Sequence, residues 1–134
     1  MIHLAASCVA LTILTVLTGC ATTREVLPLP TETLWGYTAP SQTSSEELVI
    51  TFDRVECNIV RARYVRQVSA PIYLAECRQL TVAPGDGYWI VPAVSMSGYL
   101  GAQTREECEA IERRQSRDVG RSDRVCQAVR VEFR

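Results

Sequence analysis

Four cysteines between residues 57 and 126 limit the possible folds of this chain more than any other feature. They are Cys57, Cys77, Cys108 and Cys126. An even number of cysteines in a small exported domain is typical of two disulfides, and four cysteines allow three pairings. We favour Cys57–Cys77 and Cys108–Cys126, because each bridge then joins neighbouring elements through a loop of about 18 to 20 residues. The sequence leaves the other pairings open. A zinc site is disfavoured, since no Cys-x-x-Cys spacing occurs.

The N-terminal segment indicates that the chain is exported. An apolar run extends from Leu4 to Leu17, which is about 14 residues, whereas a transmembrane helix needs about 20. A short apolar run at the N-terminus is typical of a signal peptide that is removed after export. Its removal leaves about 115 residues, enough for one small domain.

The residues that end this run, Leu17-Thr18-Gly19-Cys20, resemble the lipobox of bacterial lipoproteins. The resemblance implies that residues 1–19 are a lipoprotein signal peptide and that cleavage precedes Cys20. It also implies a diacylglyceryl group on the Cys20 sulfur and a fatty acyl chain, such as palmitate, on its amine. Two or three acyl chains make a membrane anchor effectively permanent. Ordinary signal-peptide cleavage and an uncleaved anchor are the alternatives.

The residue after the cysteine bears on which membrane holds the anchor. In the enterobacterial version of this lipoprotein family, an aspartate at this position retains the protein at the inner membrane. Ala21 stands here instead. The resemblance therefore implies lipid anchoring at the outer membrane, and we expect the domain to face the periplasm.

Residues 20–46 have the composition of a tether, because they contain Pro28, Pro30 and Pro40 and a Thr- and Ser-rich run over residues 41–45. We therefore expect a lipidated tether over residues 20–46 and one disulfide-bonded domain over residues 47–134. An apolar segment, Trp35-Gly36-Tyr37, lies inside the tether. Its rings are expected to cover an edge of the domain, to rest at the lipid interface or to dock a partner.

The first half of the domain predicts strands. Leu48–Phe52 is rich in β-branched and aromatic side chains, and Val55, Cys57 and Ile59 then alternate with polar residues. A second strand is expected from Ile72 to Val82, ended by the turn formers at 84–87.

The region after these turn formers predicts a short strand over Tyr88–Val91, because Pro92 limits its length. The glycine-rich segment Ser95–Gly101 predicts a loop over the core. Alternation from Val125 to Phe133 predicts a last strand, with Cys126 on the face opposite Val125.

A capping box marks the start of a helix in the C-terminal half. Thr104 and Glu107 stand three residues apart, the spacing at which side chain and backbone bond reciprocally. Gly120 is expected to end the helix. The fold class predicted is therefore α+β: a small antiparallel sheet of four or five strands, one helix packed on it, and two disulfides.

The candidates for a partner surface are aromatic and basic residues: Trp35, Tyr37, Trp89, Tyr99, Arg61 and Arg63. Loops with aromatic anchors often bind partners, which favours the segment carrying Trp89 and Tyr99. A strand would place Arg61 and Arg63 on one side, able to contact phosphates or an acidic partner. The alternatives are a loop that covers the core and a solvated strand face that discourages edge pairing.

The sequence offers little for catalysis. Its only histidine is His3, within the signal peptide, so the mature chain has no imidazole for a nucleophilic pair or a metal site. The pairing of the cysteines also leaves no free thiol. We expect no enzyme, no cofactor and no metal. The formal net charge of −1 gives no electrostatic reason to expect nucleic acid binding.

These features predict a non-catalytic interaction or assembly subunit of the bacterial envelope, held by its lipid and binding another envelope protein. The alternative is a lipid-anchored inhibitor of a wall-degrading enzyme. An exposed loop with a small polar side chain between charged neighbours would favour the inhibitor. An apolar patch would favour the interaction subunit.

Overall fold

The computed structural model describes residues 28–40, 46–67, 75–120 and 124–134. The expected signal peptide, Cys20 and Ala21 lie outside these residues. Five strands and two helices follow one another along the described chain: β1 Leu34–Ala39, β2 Glu47–Thr51, α1 Arg54–Gln67, β3 Arg78–Pro92, β4 Gly98–Ala102, α2 Arg105–Val119 and β5 Gln127–Phe133.

The strands form one antiparallel sheet that closes on itself. Their order is β1-β2-β4-β3-β5, and β1 pairs in addition with β3. Closure is possible because β3 is 15 residues long. Its first residues pair with β1, its last residues pair with β4, and β5 runs beside both parts.

A bulge in β3 lets this long strand serve both neighbours. The register against β5 shifts between Pro84 and Tyr88, opposite Val129. A bulge bends a strand and increases its twist without ending it. The expectation that the turn formers at 84–87 end a strand is therefore wrong. Residues 72–74 of the strand expected there lie outside the described residues, and β3 begins at Arg78.

The inner face of the closed sheet holds one apolar cluster. Its buried members are Leu34, Leu48, Ile50, Leu80, Val82, Ile90 and Val129. Gly36 lies on the same face of β1 as Leu34, and a Cβ atom there would lie 2.4 Å from the Val49 carbonyl oxygen. The interior is thus filled by side chains and backbone in contact.

The two helices pack side by side on the outer face. Under α1, Cys57 packs with Tyr37, Ala39 and Val49. Under α2, a second group packs together: Cys108, Ile111, Val91 and Ala102. Within the described residues, neither helix is long and apolar enough to cross a membrane.

The helix α1 replaces the strand pattern expected through Val55, Cys57 and Ile59, so that interpretation is wrong. Asp53 begins the helix, since its Oδ1 accepts a hydrogen bond from the Glu56 amide at 2.8 Å. Val55 and Ile59 are exposed, whereas Cys57 is buried. The alternation therefore came from Val55 and Ile59 on the exposed side of a helix and Cys57 on its buried side.

Two strands lie in segments that were expected to be a tether and a loop. Residues 34–39 were expected within the tether, but they form β1, so the sheet begins before residue 47. Most of the loop expected over Ser95–Gly101 is β4, which begins at Gly98. Gly98 has φ +149°, and its backbone passes so close to the Ile50 carbonyl oxygen that a Cβ atom would lie 1.9 Å from it.

The capping box, the two disulfides and the fold class are confirmed, whereas the short strand expected over residues 88–91 is the last part of the long strand β3. Thr104 caps α2 in a reciprocal capping box, and Gly120 ends it in the left-handed conformation. The favoured disulfides Cys57–Cys77 and Cys108–Cys126 are both present. The α+β class with an antiparallel sheet, a helix in the C-terminal half and two disulfides is correct, with α1 as an additional helix.

Candidate functional site

A groove of about 490 Å³ lies between α1 and α2 on the outer face of the sheet, and we call it the interhelical groove. It is lined by Tyr37, Ala39, Glu47, Val49, Val60, Arg63, Tyr64, Gln67, Ser95, Met96, Leu100 and Arg114. Its residues come from three strands, both helices and the segment before β4.

The floor of the interhelical groove is apolar, because it is the part of the outer sheet face that lies between the two helices. Tyr37, Val49 and Leu100 stand on three neighbouring strands, and the register places Tyr37 opposite Val49 and Val49 opposite Leu100. Val60 and Met96 pack against the same cluster from the sides. Apolar side chains of a bound partner could be buried against this floor.

The rim of the groove carries an ion pair and a second arginine. The Nη2 of Arg114 lies 3.0 Å from the Oε1 of Glu47, whose side chain is only 14% exposed. Arg63 is exposed, and in the described parts of the chain it forms no ion pair. An arginine side chain can donate two parallel hydrogen bonds to a carboxylate. The rim therefore presents a guanidinium group beside an apolar floor.

Tyr37 lies at the end of the groove and is 1% exposed. Its pKa is raised to about 12, mainly by burial, with smaller contributions from the nearby Glu47 and Tyr64 and an opposing effect of Arg61. Tyr64 donates a hydrogen bond to the carbonyl oxygen of Pro40. Tyr37 therefore stays protonated at physiological pH, as a neutral part of the floor.

A second groove, of about 460 Å³, runs along α1 beside the segment before β4. It shares four residues with the interhelical groove: Val60, Arg63, Ser95 and Met96. The Ser97 amide donates to the Oε1 of Glu56 at 3.0 Å, which holds this segment against α1. The two grooves thus form one continuous depression with Arg63 between them.

The structure brings together only two of the six residues predicted for a partner surface. Tyr37 and Arg63 line the interhelical groove. Arg61 lies on another side of α1 and donates to the Ala75 carbonyl oxygen at 2.7 Å. The expectation that a strand puts Arg61 and Arg63 on one side is wrong. Both residues lie on a helix, where side chains two positions apart point in different directions.

The other three aromatic candidates are in separate places. The guanidinium of Arg54 lies 5.2 Å from the centre of the Trp35 ring, and that of Arg105 lies 5.6 Å from the Trp89 ring. Tyr99 packs against the inner cluster, and burial raises its pKa. These rings serve the packing of the sheet and its helices.

Several groove residues were absent from the prediction: Val49, Val60, Tyr64, Gln67, Met96, Leu100 and Arg114. The sequence carried one signal that leads to some of them. Asp53 and Glu56 stand three residues apart, as an N-cap and its third helical residue do. Recognition of this helix start would have placed Val60, Tyr64 and Gln67 on one side of a helix.

The interhelical groove combines two kinds of surface that could contact a ligand or partner. Its floor offers apolar area, and its rim offers a guanidinium group. Among the residues that the structure describes, no three His, Cys, Asp or Glu side chains are grouped so that they could hold a metal ion. Comparisons of the chain with protein-family models, with curated proteins and with solved structures gave no match.

Proposed function

We propose that this protein is a non-catalytic interaction subunit of the bacterial envelope that binds another envelope protein through the interhelical groove. The observation that carries the proposal is the depression between the two helices, in which the half-buried Leu100 and Met96 lie beside the exposed Arg63, with the buried Tyr37 and Val49 in its floor. A depression lined largely by apolar side chains, with a few charged groups at its rim, is typical of binding sites.

The partner is expected to present an apolar side chain next to a carboxylate. The apolar side chain would lie on Val49 and Leu100, and the carboxylate would pair with Arg63. The pair of Arg114 and Glu47 forms part of the wall at the other side. Among the described residues Arg63 forms no ion pair, so the partner's carboxylate would pair with it, which fixes the orientation of the bound segment.

The membrane supplies the position of this site. The lipobox residues support acylation of Cys20, and Ala21 supports the outer membrane, with the domain facing the periplasm. A tethered domain meets its partner at an effective concentration set by the length of the tether, so that a groove of modest size can suffice.

The alternative function, inhibition of a wall-degrading enzyme, would use the bulge of β3. Residues Pro84–Gly87 form an exposed bulge with Asp86 between two glycines, and Arg130 lies beside Gly85. An inhibitor of a wall-degrading enzyme would present an exposed polar side chain in this way, although Asp86 lies between two glycines and not between the charged neighbours expected for such a loop. Deletion of the carboxylate by Asp86→Ala would abolish inhibition in that case and leave binding at the interhelical groove unchanged.

Photocrosslinking in intact envelopes tests the proposed function. A photoreactive amino acid is placed at Gln67, which lines the groove, and at Arg113, which is exposed on α2 and does not line it. We expect a discrete protein adduct from position 67 and none from position 113. Arg63→Glu should reduce this adduct several-fold, whereas the exposed α2 variant Arg117→Glu should not. Recovery of only lipid and abundant porins from position 67 would contradict the proposal.

A further inference from the structure

The side of α1 that points away from the sheet carries apolar residues. Val55, Ile59, Ala62 and Arg66 follow one another at spacings of three or four, so they lie along one side of the helix, and we call this side the outward face. All four are exposed, Val55 by 69% and Ile59 by 53%. Val65, at the border of this face, is 49% exposed. The outward face is therefore an apolar strip in contact with solvent.

Positive charge is concentrated on the same helix. Its residues include four arginines, Arg54, Arg61, Arg63 and Arg66, and one carboxylate, Glu56. The whole chain has a formal net charge of −1, so the rest of the protein is negative relative to α1. Exposed apolar side chains combined with arginines on one helix are the composition that binds anionic lipid surfaces.

The chain enters the sheet beside the start of this helix. Arg54, the first residue of α1, stacks at 5.2 Å on Trp35, the second residue of β1. Cys20 precedes β1 by about 14 residues, which span at most about 50 Å even when fully extended. A lipid on Cys20 would therefore limit the distance between the N-terminal end of α1 and the bilayer to about this reach.

From these observations we propose that the outward face of α1 docks on a bilayer surface bearing anionic phosphate headgroups. Val55 and Ile59 lie among the headgroups, and Arg66 donates hydrogen bonds to their phosphates. The inference rests on the proposed function in one respect, since acylated Cys20 supplies the local concentration that lets a small contact area bind.

The docked arrangement covers the second groove, which Val55 and Ile59 line, and leaves open the part of the depression that lies between the two helices. Val60, Tyr64 and Gln67 line the interhelical groove and lie on a different side of α1 from Val55 and Ile59. A bilayer on the outward face and a protein in the groove can therefore be bound at the same time. The membrane contact would orient the groove toward partners in the plane of the membrane.

The experiment uses the full chain as bacteria process it, reconstituted in vesicles of zwitterionic phospholipid with or without phosphatidylglycerol. An environment-sensitive fluorescent amino acid stands at position 59 or, as the control, at position 113. Quenching by brominated lipid reports contact with the bilayer. We expect several-fold stronger quenching at position 59 than at position 113, only with phosphatidylglycerol, and its loss in high salt.

Matched charge variants complete the test. Arg66 and Arg117 both lie in the last turn of their helices and are exposed. Arg66→Glu should lower the quenching at position 59 several-fold, and Arg117→Glu should leave it unchanged. Equal quenching at positions 59 and 113 would overturn the inference. A photoreactive group at position 59 in intact envelopes gives a second test, and a discrete protein adduct there would also overturn the inference.

Flotation of the vesicles separates this inference from the proposed function. Protein that floats but shows no quenching at position 59 is held by its lipid, while the outward face of α1 does not contact the bilayer. This result overturns the inference and leaves the proposed function standing. Protein that does not float lacks the anchor, which contradicts the proposed membrane attachment. In that case the same fluorophore at raised lipid concentration still decides whether α1 binds phosphatidylglycerol vesicles.

Discussion

The side chain of Gln115 on α2 holds the backbone of Val94, since its Oε1 accepts a hydrogen bond from the Val94 amide at 2.8 Å. Its Nε2 donates to the Pro92 carbonyl oxygen at 3.3 Å. Gln115 is 6% exposed. This buried amide therefore fixes the segment that leaves β3 and continues to Ser95 and Met96 at the wall of the interhelical groove.

Replacement of Gln115 by leucine should destabilise this segment and the fold. The Val94 amide and the Pro92 carbonyl lose their partners, and a buried polar group without a partner costs about 1–3 kcal/mol. We expect urea denaturation to show a loss of that size, and hydrogen exchange to show faster exchange at Val94. Gln103→Leu, at an exposed position, is the control. An unchanged exchange rate at Val94 would mean that Gln115 does not hold the segment.

Each disulfide should contribute similarly to stability, because the bridges join residues 20 and 18 positions apart. Loops of this length correspond to about 3 kcal/mol from restriction of the unfolded chain. We expect the double variants Cys57→Ala/Cys77→Ala and Cys108→Ala/Cys126→Ala each to lose about that much in urea denaturation. A double variant as stable as the wild type would show that its bridge does not constrain the unfolded chain.

Gly36→Ala should disturb closure of the sheet. The new Cβ atom would lie 2.4 Å from the Val49 carbonyl oxygen and 2.7 Å from the Cδ2 of Leu80, and the strand pairing prevents the backbone from moving away. Overpacking in a filled core costs about 1–3 kcal/mol. Thr38→Val, two residues along the same strand, is the control. Equal thermal midpoints for the two variants would argue against the tight approach at Gly36.

Tyr37 should make stability fall in strong alkali. Burial raises its pKa from 10.0 to about 12, so the native state holds the phenolic proton after the unfolded state has lost it. This contribution is complete below pH 10 and is lost as the pH rises toward about 12. The loss amounts to about 3 kcal/mol.

Urea denaturation of the wild type and of Tyr37→Phe across this pH range measures the effect. The pKa values of Tyr88 and Tyr99 are also raised by burial, so both proteins should lose some stability, and the difference between them isolates Tyr37. Parallel loss of stability in the two proteins would contradict burial of the Tyr37 hydroxyl group.

Helix starts show what the sequence could and could not predict. Thr104 and Glu107 form a reciprocal capping box, and the helix they predict begins where expected. The same spacing occurs at the start of α1, between Asp53 and Glu56. There the capping is not reciprocal, because the Glu56 side chain accepts a hydrogen bond from the Ser97 amide. The apolar Val55 and Ile59 on the exposed side of α1 also imitated a strand. An outward face with apolar residues hides the helical period on which such predictions depend.

The closed sheet and the groove depend on contacts between distant residues. The disulfides could be predicted, because cysteine count and loop length limit the choices. The continuation of β3 through its bulge could not, since Pro84–Gly87 reads locally as a turn and only pairing with Val129 carries the strand past it. Tyr37 and Leu100 meet at the groove through β2, so strand order had to be known first.

Mass spectrometry of the protein isolated from bacterial envelopes tests most directly whether Cys20 anchors a disulfide-bonded domain. We predict a chain that begins at Cys20, with diacylglyceryl on its sulfur and an acyl chain on its amine, and non-reduced peptides that join Cys57 to Cys77 and Cys108 to Cys126. An unmodified N-terminus, or cysteines that react with alkylating reagents before denaturation, would contradict this account.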